Sequence, residues 1–273
     1  MTFKFSLYFK ELILFGSALF LGIFSANRLF KTGVSVPGPG KFGLSDLIIL
    51  LVFISVLFLF RNKKVFIGFI FKLVILFVVI GGSQIVFGSL ISFPFDVIAS
   101  LLLVVLYLFY RNILVHNLAI IIGIAGLSTV IGLIITPNLG VIMLVLLSFY
   151  DIIAVYQTKH MIHMARSMIQ SGAIFGFVIP SQFRGFISSK DEARARLGRD
   201  FMILGSGDIG LPLIMVCSLV SISLTSAVIT AVFSLVGLLF THLIFINQKE
   251  RKPMAALPPI ATMTIIGYLI TLI

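Results

Sequence analysis

FMILGSGDIGLPLIMVCSLVS, residues 201–221, is an apolar run with one acid, Asp208, near its start. LGVIMLVLLSFYDIIAVYQT, residues 139–158, has the same character and again holds a single acid, Asp151. Runs of roughly 17–25 apolar residues match the thickness of a hydrocarbon core. An aspartate near the middle of a membrane helix costs about 2.5–3.5 kcal/mol, so two cost roughly 5–7. Acids in such a setting point to function, and these two runs decide how the rest of the chain is understood.

The remainder has the composition of a membrane protein. Of 273 residues 60% are hydrophobic and 11% charged, and the mean hydropathy is +1.22. A soluble domain of this length could not hide so much apolar surface in one core. Apolar runs between charged or Pro/Gly breaks predict nine transmembrane helices, at about 7–27, 44–60, 65–87, 95–110, 113–135, 139–158, 201–221, 223–246 and 253–273. The first follows Lys4 and Lys10 as a signal peptide would. It lacks an A-x-A cleavage site and heads a series of similar runs, so it is expected to be a span. The lone Cys217 excludes an intramolecular disulfide and a cysteine metal cluster.

The formal net charge of +11 would suggest nucleic acid in a soluble protein. Here the basic residues fall between spans, where they set orientation and meet anionic lipid head groups, so no nucleic-acid partner is expected. With nine spans, 16 Lys and Arg residues lie on the N-terminal side and three, Arg28, Lys31 and Lys41, on the other, with Lys72 inside a span. This asymmetry predicts a multi-pass protein of the cell membrane with a cytoplasmic N-terminus and an external C-terminus. The expected organisation is a six-helix half at 1–158 carrying Asp151, a cytoplasmic loop at 159–200, and a three-helix half at 201–273 carrying Asp208. In the loop, Ser189 and Glu192 read as a capping box that starts a short charged helix running through Asp191 to Arg199. Ala173 to Pro180 is too short to span and reads as an interfacial or re-entrant piece. His160 and His163 share a helix face, but without a carboxylate partner they read as solvated juxtamembrane residues. No metal or cofactor site is expected.

Asp46 and Asp96 fall at span ends, and Glu11 neighbours Lys10. Asp151 and Asp208 have no such explanation. Asp151 precedes Lys159 by eight residues on a helix running inward, and Asp208 follows Arg199 by nine on the next helix outward. Both therefore lie about 12–14 Å from the cytoplasmic boundary. Sequential antiparallel helices can bring them face to face. Neighbouring carboxyl groups share one proton near neutral pH, and such a pair can activate water against an amide. Gly205 and Gly207 let another backbone approach closely, and Pro212 leaves the Asp208 carbonyl without its helical donor. Pro253, Pro258 and Pro259 crowd the start of the last span, and the two latter free the carbonyls of Met254 and Ala255. Met254 to Leu257 is therefore expected to offer an edge for an unwound substrate strand. On residues alone, a proton- or cation-coupled transporter or channel stands beside proteolysis, because paired acids in a bundle serve both.

Tyr150-Asp151, Gly205-Ser206-Gly207-Asp208 and Ala255-Ala256-Leu257-Pro258 resemble, in order and on the right spans, the YD, GxGD and PALP motifs of presenilin and signal peptide peptidase. These are the GxGD intramembrane aspartyl proteases, and the resemblance covers the whole chain. It implies an all-α, presenilin-like membrane fold and an intramembrane aspartic endopeptidase that cuts transmembrane peptides, membrane proteins or signal-peptide remnants. It implies that Asp151 and Asp208 are catalytic and that Ala256 and Leu257 help position the pair and the substrate, with Tyr150, Gly205, Gly207, Ala255 and Pro258 as further substrate-binding or positioning residues. Ala255 departs from the family pattern by standing where the motif begins with proline. The charge asymmetry sides with presenilin orientation, Pro212 with the signal peptide peptidase branch, and the chain looks like a compact homologue of the archaeal kind. Prepilin and preflagellin peptidases also carry GxGD, with fewer spans and no PALP-like element.

Overall fold

A computed structural model of the chain describes residues 5–33, 64–158, 172–196, 200–248 and 253–273. Its helices are α1 (Phe5–Lys31), α2 (Lys64–Leu90), α3 (Phe95–Phe109), α4 (Ile113–Ile134), α5 (Pro137–Ile152), the short α6 (Lys190–Ala195), α7 (Ser206–Val220), α8 (Leu224–Ile246) and α9 (Leu257–Ile270). Two strands, β1 (Gly176–Pro180) and β2 (Phe201–Gly205), join them. Among the described residues α1, α2, α4, α5 with its extension and α8 are long and apolar enough to cross a membrane, and α3, α7 and α9 are shorter apolar helices. Helices stand within a few residues of the spans expected at 7–27, 65–87, 95–110, 113–135 and 223–246. The one at 44–60 lies outside the described residues.

The bundle is organised around α4, which packs against α1, α2 and α7. Its sequence is apolar all round, and a helix with no polar face belongs inside. Contact with α2 is backbone on backbone. A Cβ on Gly82 would strike the Gly123 carbonyl, and one on Gly126 would strike that of Gly82. Small residues at a helix crossing give membrane bundles this close packing, because apolar side chains gain nothing over lipid by facing each other. Large side chains instead face outward, Phe77 at 71% exposure and Phe109 at 77% among them. An outer surface this apolar suits lipid.

The all-α expectation fails at two points flanking the loop. Residues 201–205, expected as the first turn of the seventh span, form β2, and α7 begins only at Ser206. The apolar piece before the loop helix contains β1, and the two pair antiparallel from Gly176 opposite Gly205 to Pro180 opposite Phe201. A sheet edge inside a membrane bundle is tolerated only where protein satisfies it, and helix side chains do so for β1. Asn117 on α4 donates to the Val178 carbonyl at 2.8 Å and accepts the Val178 N–H at 2.9 Å, imitating a neighbouring strand. His116 Nε2 lies 3.1 Å from the Gly176 carbonyl oxygen. Lys10 Nζ on α1 donates to the carbonyls of Pro180 at 2.9 Å and Ser181 at 2.6 Å. Lys10 thus does not neutralise its neighbour: Glu11 turns the other way, to His242 Nδ1 on α8 at 3.0 Å.

In the loop, the Ser189 hydroxyl accepts the Glu192 N–H at 3.1 Å, capping α6 as the sequence predicts; the helix runs to Ala195, and the expected end at Arg199 lies outside the described residues. Ile113 N–H donates to the Ser188 carbonyl and Lys190 N–H to that of Arg111, so the loop is docked on the turn between α3 and α4.

Candidate functional site

Asp151 sits in the last turn of α5, where the helix changes character. Regular α geometry ends at Ile152, and Ile153–Gln157 forms a π-helical turn in place of the continuous helix expected to 158. Such turns recur at functional sites. The Asp151 side chain points inward and is buried, whereas its neighbour Tyr150 points outward and is half exposed.

Asp208 is positioned by the change from strand to helix. Gly205 ends β2 and caps α7 without a side chain of its own, at φ −63° and ψ 146°. Asp208 is the third residue of the helix, and its carboxyl folds back to accept the Gly205 backbone N–H. This is the acidic half of a capping box. The arrangement depends on glycine, since a Cβ on Gly205 would lie 2.9 Å from Asp208 Oδ2. A Cβ on Gly207, by contrast, would meet nothing within 4 Å. Asp208 is crowded by protein yet partly accessible, and Gly207 beside it is exposed. Pro212 lies inside α7, one turn beyond Asp208.

The third element arrives from α9. Residues 253–256 are irregular and form no strand, Ala256 has helical angles, and the helix starts at Leu257. Leu257 N–H points to Asp151 Oδ2 at 3.4 Å. Helix N-termini carry unpaired N–H groups and a positive dipole end, which favour a carboxylate. Pro258 and Pro259 follow directly and have no N–H to give. Among the first three residues of α9, Leu257 alone can donate, and it faces Asp151. Thr241 on α8 fixes the preceding turn by donating to the Ala256 carbonyl at 3.3 Å. Ala255 and Leu257 are buried, and Ala256 and Pro258 are partly so.

The two aspartates come together, close enough for their carboxyl groups to act on one another electrostatically. Each is also held against a helix N-terminus, Asp151 at that of α9 and Asp208 at that of its own helix. The sheet ends at the same place. Ser206 N–H bonds to the Phe175 carbonyl and Ser181 N–H to that of Asp200, so Met202 and Leu204 face β1 across the ladder. Phe201, Ile203 and Gly205 turn their backbone groups to the opposite edge, the edge on which Asp208 meets Gly205. Among the described residues nothing pairs with the backbone of Ile203. Asn117, His116 and Lys10, which hold the far edge of this sheet, lie in predicted spans. A pair of hydrogen-bonding side chains at 116–117 within an apolar run was the available signal that this span receives backbone from elsewhere.

Two carboxyl groups meeting in the interior of an apolar helical bundle are the equipment of an aspartic peptidase working inside the membrane. A family model described as signal-peptide peptidase, presenilin aspartyl protease matches residues 40–273. Two structures of a presenilin family intramembrane aspartate protease share the fold. The one in space group C222 is 22% identical with a TM-score of 0.55, and the one in P2 is 24% identical with a TM-score of 0.56. In both comparisons 94% of each chain is covered. No curated protein sequence matches. The chain belongs to the signal-peptide peptidase and presenilin aspartyl protease family, and it is an intramembrane-cleaving aspartic endopeptidase.

Proposed function

We propose that Asp151 and Asp208 are the catalytic pair, and that the protein hydrolyses peptide bonds within or near transmembrane segments of membrane proteins or signal-peptide remnants. The observation that carries this reading is the meeting of the two carboxyl groups, each against a helix N-terminus, beside an unpaired strand edge. With one proton shared between them, the ionised carboxyl takes a proton from water as the water oxygen attacks the amide carbon. The protonated carboxyl gives its proton to the carbonyl oxygen. The resulting gem-diol collapses: the protonated carboxyl gives its proton to the nitrogen as the C–N bond breaks, a gem-diol hydroxyl gives its proton to the other carboxyl, and the pair is again singly protonated.

A helical substrate hides its amide carbons behind its own hydrogen bonds, so it must unwind locally. The unwound backbone needs partners, because an unpaired polar group in a low-dielectric site costs several kcal/mol. The outer edge of β2 supplies them through the backbone of Ile203, two residues before the Gly205 that Asp208 holds, and a substrate strand added there carries its peptide bond toward Asp208. Gly207 leaves room for it, while Tyr150 and the Ala255–Pro258 turn border its path. The 16-to-3 split of basic residues supports a cytoplasmic N-terminus and loop, an external C-terminus and residence in the cell membrane.

Purified Asp151→Ala and Asp208→Ala variants, incubated with a single-span reporter whose products are mapped by mass spectrometry, test the pair. Each should lose cleavage while remaining folded, since neither acid alone can serve as base and acid together. Substantial activity in either folded variant removes the aspartyl mechanism.

A further inference from the structure

Away from the two aspartates, α2, α3 and the docked loop enclose a cleft of about 310 Å³. Lys72 on α2, Arg111 after α3, and Lys190 and Arg194 on α6 all line it. Among the described residues of the lining Asp191 is the one acid, and it is engaged by Arg194 at 2.9 Å. Among the described residues no carboxylate lies within 4 Å of Lys72, Arg111 or Lys190. The Lys190 ammonium lies 4.0 Å over the Tyr107 ring. Burial, together with the nearby Arg111 charge, pushes it down to about 8, against the pull of Asp191 in the other direction.

Such a concentration of positive charge calls for an anion, and the walls indicate which kind. Lys72 stands eight residues into α2, roughly 12 Å along the helix axis from its first residue. Its neighbour Leu73 is 48% exposed, and Leu108 on the opposing wall is 52% exposed, both on the lipid-facing surface. A lysine at that depth extends its ammonium toward the interface and there meets head-group phosphates. A cleft that is basic at its loop end and apolar where it opens between two helices matches an amphiphile.

We propose that this cleft binds a phosphate ester, the head group of an anionic phospholipid, through Lys72, Arg111 and Lys190, with the acyl chains lying along Leu73, Leu76 and Leu108. Arginine clasps phosphate oxygens in a fork, while the two lysines act as point charges. The bound lipid would tie α2 to the loop segment that is hydrogen-bonded to the α3–α4 turn. That loop also carries β1, and so reaches the sheet in front of Asp208.

The test uses the full chain in nanodiscs of phosphatidylcholine, with and without phosphatidylglycerol. Retained lipid is counted by native mass spectrometry and the thermal midpoint is measured alongside. The wild type should keep one phosphatidylglycerol and melt higher with it. A basic residue near an anionic surface contributes about fivefold in binding, so Lys72→Gln with Arg111→Gln should lower retention about 25-fold. Lys72→Arg should preserve it. If the double variant does not fold, Lys72→Gln alone, at a side chain that makes no hydrogen bond among the described residues, should lower retention about fivefold. An equal rise in midpoint with glycerol 3-phosphate in phosphatidylcholine discs would overturn the lipid as occupant in favour of a soluble phosphate ester. Retention and midpoint unchanged in the glutamine variants would overturn the site itself.

Discussion

Replacing Gly205 with alanine tests whether the first glycine of the motif exists for the sake of the aspartate or for the fold. The Gly205 backbone, at φ −63° and ψ 146°, is open to any residue. Alanine there should leave β2 and α7 intact, and stability should change by no more than about 1 kcal/mol. The added Cβ would lie 2.9 Å from Asp208 Oδ2 and 3.7 Å from Cγ. Ordinary contact begins near 3.4 Å, so the carboxyl must retreat by about 0.5 Å and loosen its bond to the Gly205 N–H. A misplacement of about 1 Å in a catalytic group lowers the rate by roughly 100-fold, so this shift should lower kcat about tenfold or more. Gly207→Ala is the matched control. Apart from its chain neighbours and its own helix backbone, its Cβ meets none of the described residues within 4 Å, so it has room, and any effect should appear in KM through crowding of the substrate strand. Steady-state cleavage of a single-span reporter, with melting curves for both variants, separates these outcomes. If Gly205→Ala keeps wild-type kcat, or if Gly207→Ala loses kcat at unchanged KM, the account of the glycines is wrong.

Under the proposed mechanism only the singly protonated pair is competent, so cleavage should follow a bell-shaped pH profile; a rate that climbs steadily into alkali would require a different base. Asn117→Leu should strip the Val178 N–H and carbonyl of their partners in a buried strand. At roughly 1–3 kcal/mol for each of the two unsatisfied groups, the loss should be about 2–6 kcal/mol, seen as a lower thermal midpoint; an unchanged midpoint would mean that the sheet does not rely on α4. Lys190 is held down to about 8 against an ordinary 10.5. Between those values the unfolded chain binds the proton and the folded one does not, so stability should rise with pH across that window. In phosphatidylcholine discs Lys190→Met should therefore be more stable than wild type at pH 7, with the gap closing by about pH 10.5; a gap that does not move with pH would show that the ammonium is not the source.

The membrane helices were legible because their signal is local. Length and continuous apolarity are set by the bilayer, and the charged and proline breaks are set by water, so α1 to α4 and α8 could be placed from composition alone. The two strands were not legible for the opposite reason. GFVIP and FMILG are short apolar runs that read equally well as buried helix, and their conformation is decided by distant partners. Asn117, His116 and Lys10 supply the bonds that make β1 possible, from positions 60 to 170 residues away. Glu11 shows the same limit. Its sequence neighbour Lys10 offered a sufficient explanation for its charge, yet the pairing runs to His242 across the bundle. Local spacing could bring Asp151 and Asp208 to one depth, but it could not show that β2 delivers Asp208 or that Leu257 reaches Asp151.

The prolines of the last helix illustrate how the same residues can act through donors where the sequence suggested acceptors. From sequence, Pro258 and Pro259 read as a device for freeing the carbonyls of Met254 and Ala255 along an extended edge. In the structure those residues are irregular, Ala256 is already helical, and the free strand edge belongs to β2. What the prolines change is the supply of donors. A helix ordinarily presents several unpaired N–H groups at its N-terminus, and a carboxylate placed there could settle against any of them. Prolines at the second and third positions remove two, leave Leu257 N–H facing Asp151, and still provide the fixed φ that starts the helix. On α7 the same end is reached differently: Gly205 provides the N–H, and its missing side chain makes room for Asp208 to bend back onto it. Two helix starts with unrelated sequences thus each hold one carboxyl in a defined position. A departure at the first position of the proline motif, Ala255, leaves this donor in place, because among the described residues the hydrogen bond to Asp151 comes from the Leu257 N–H.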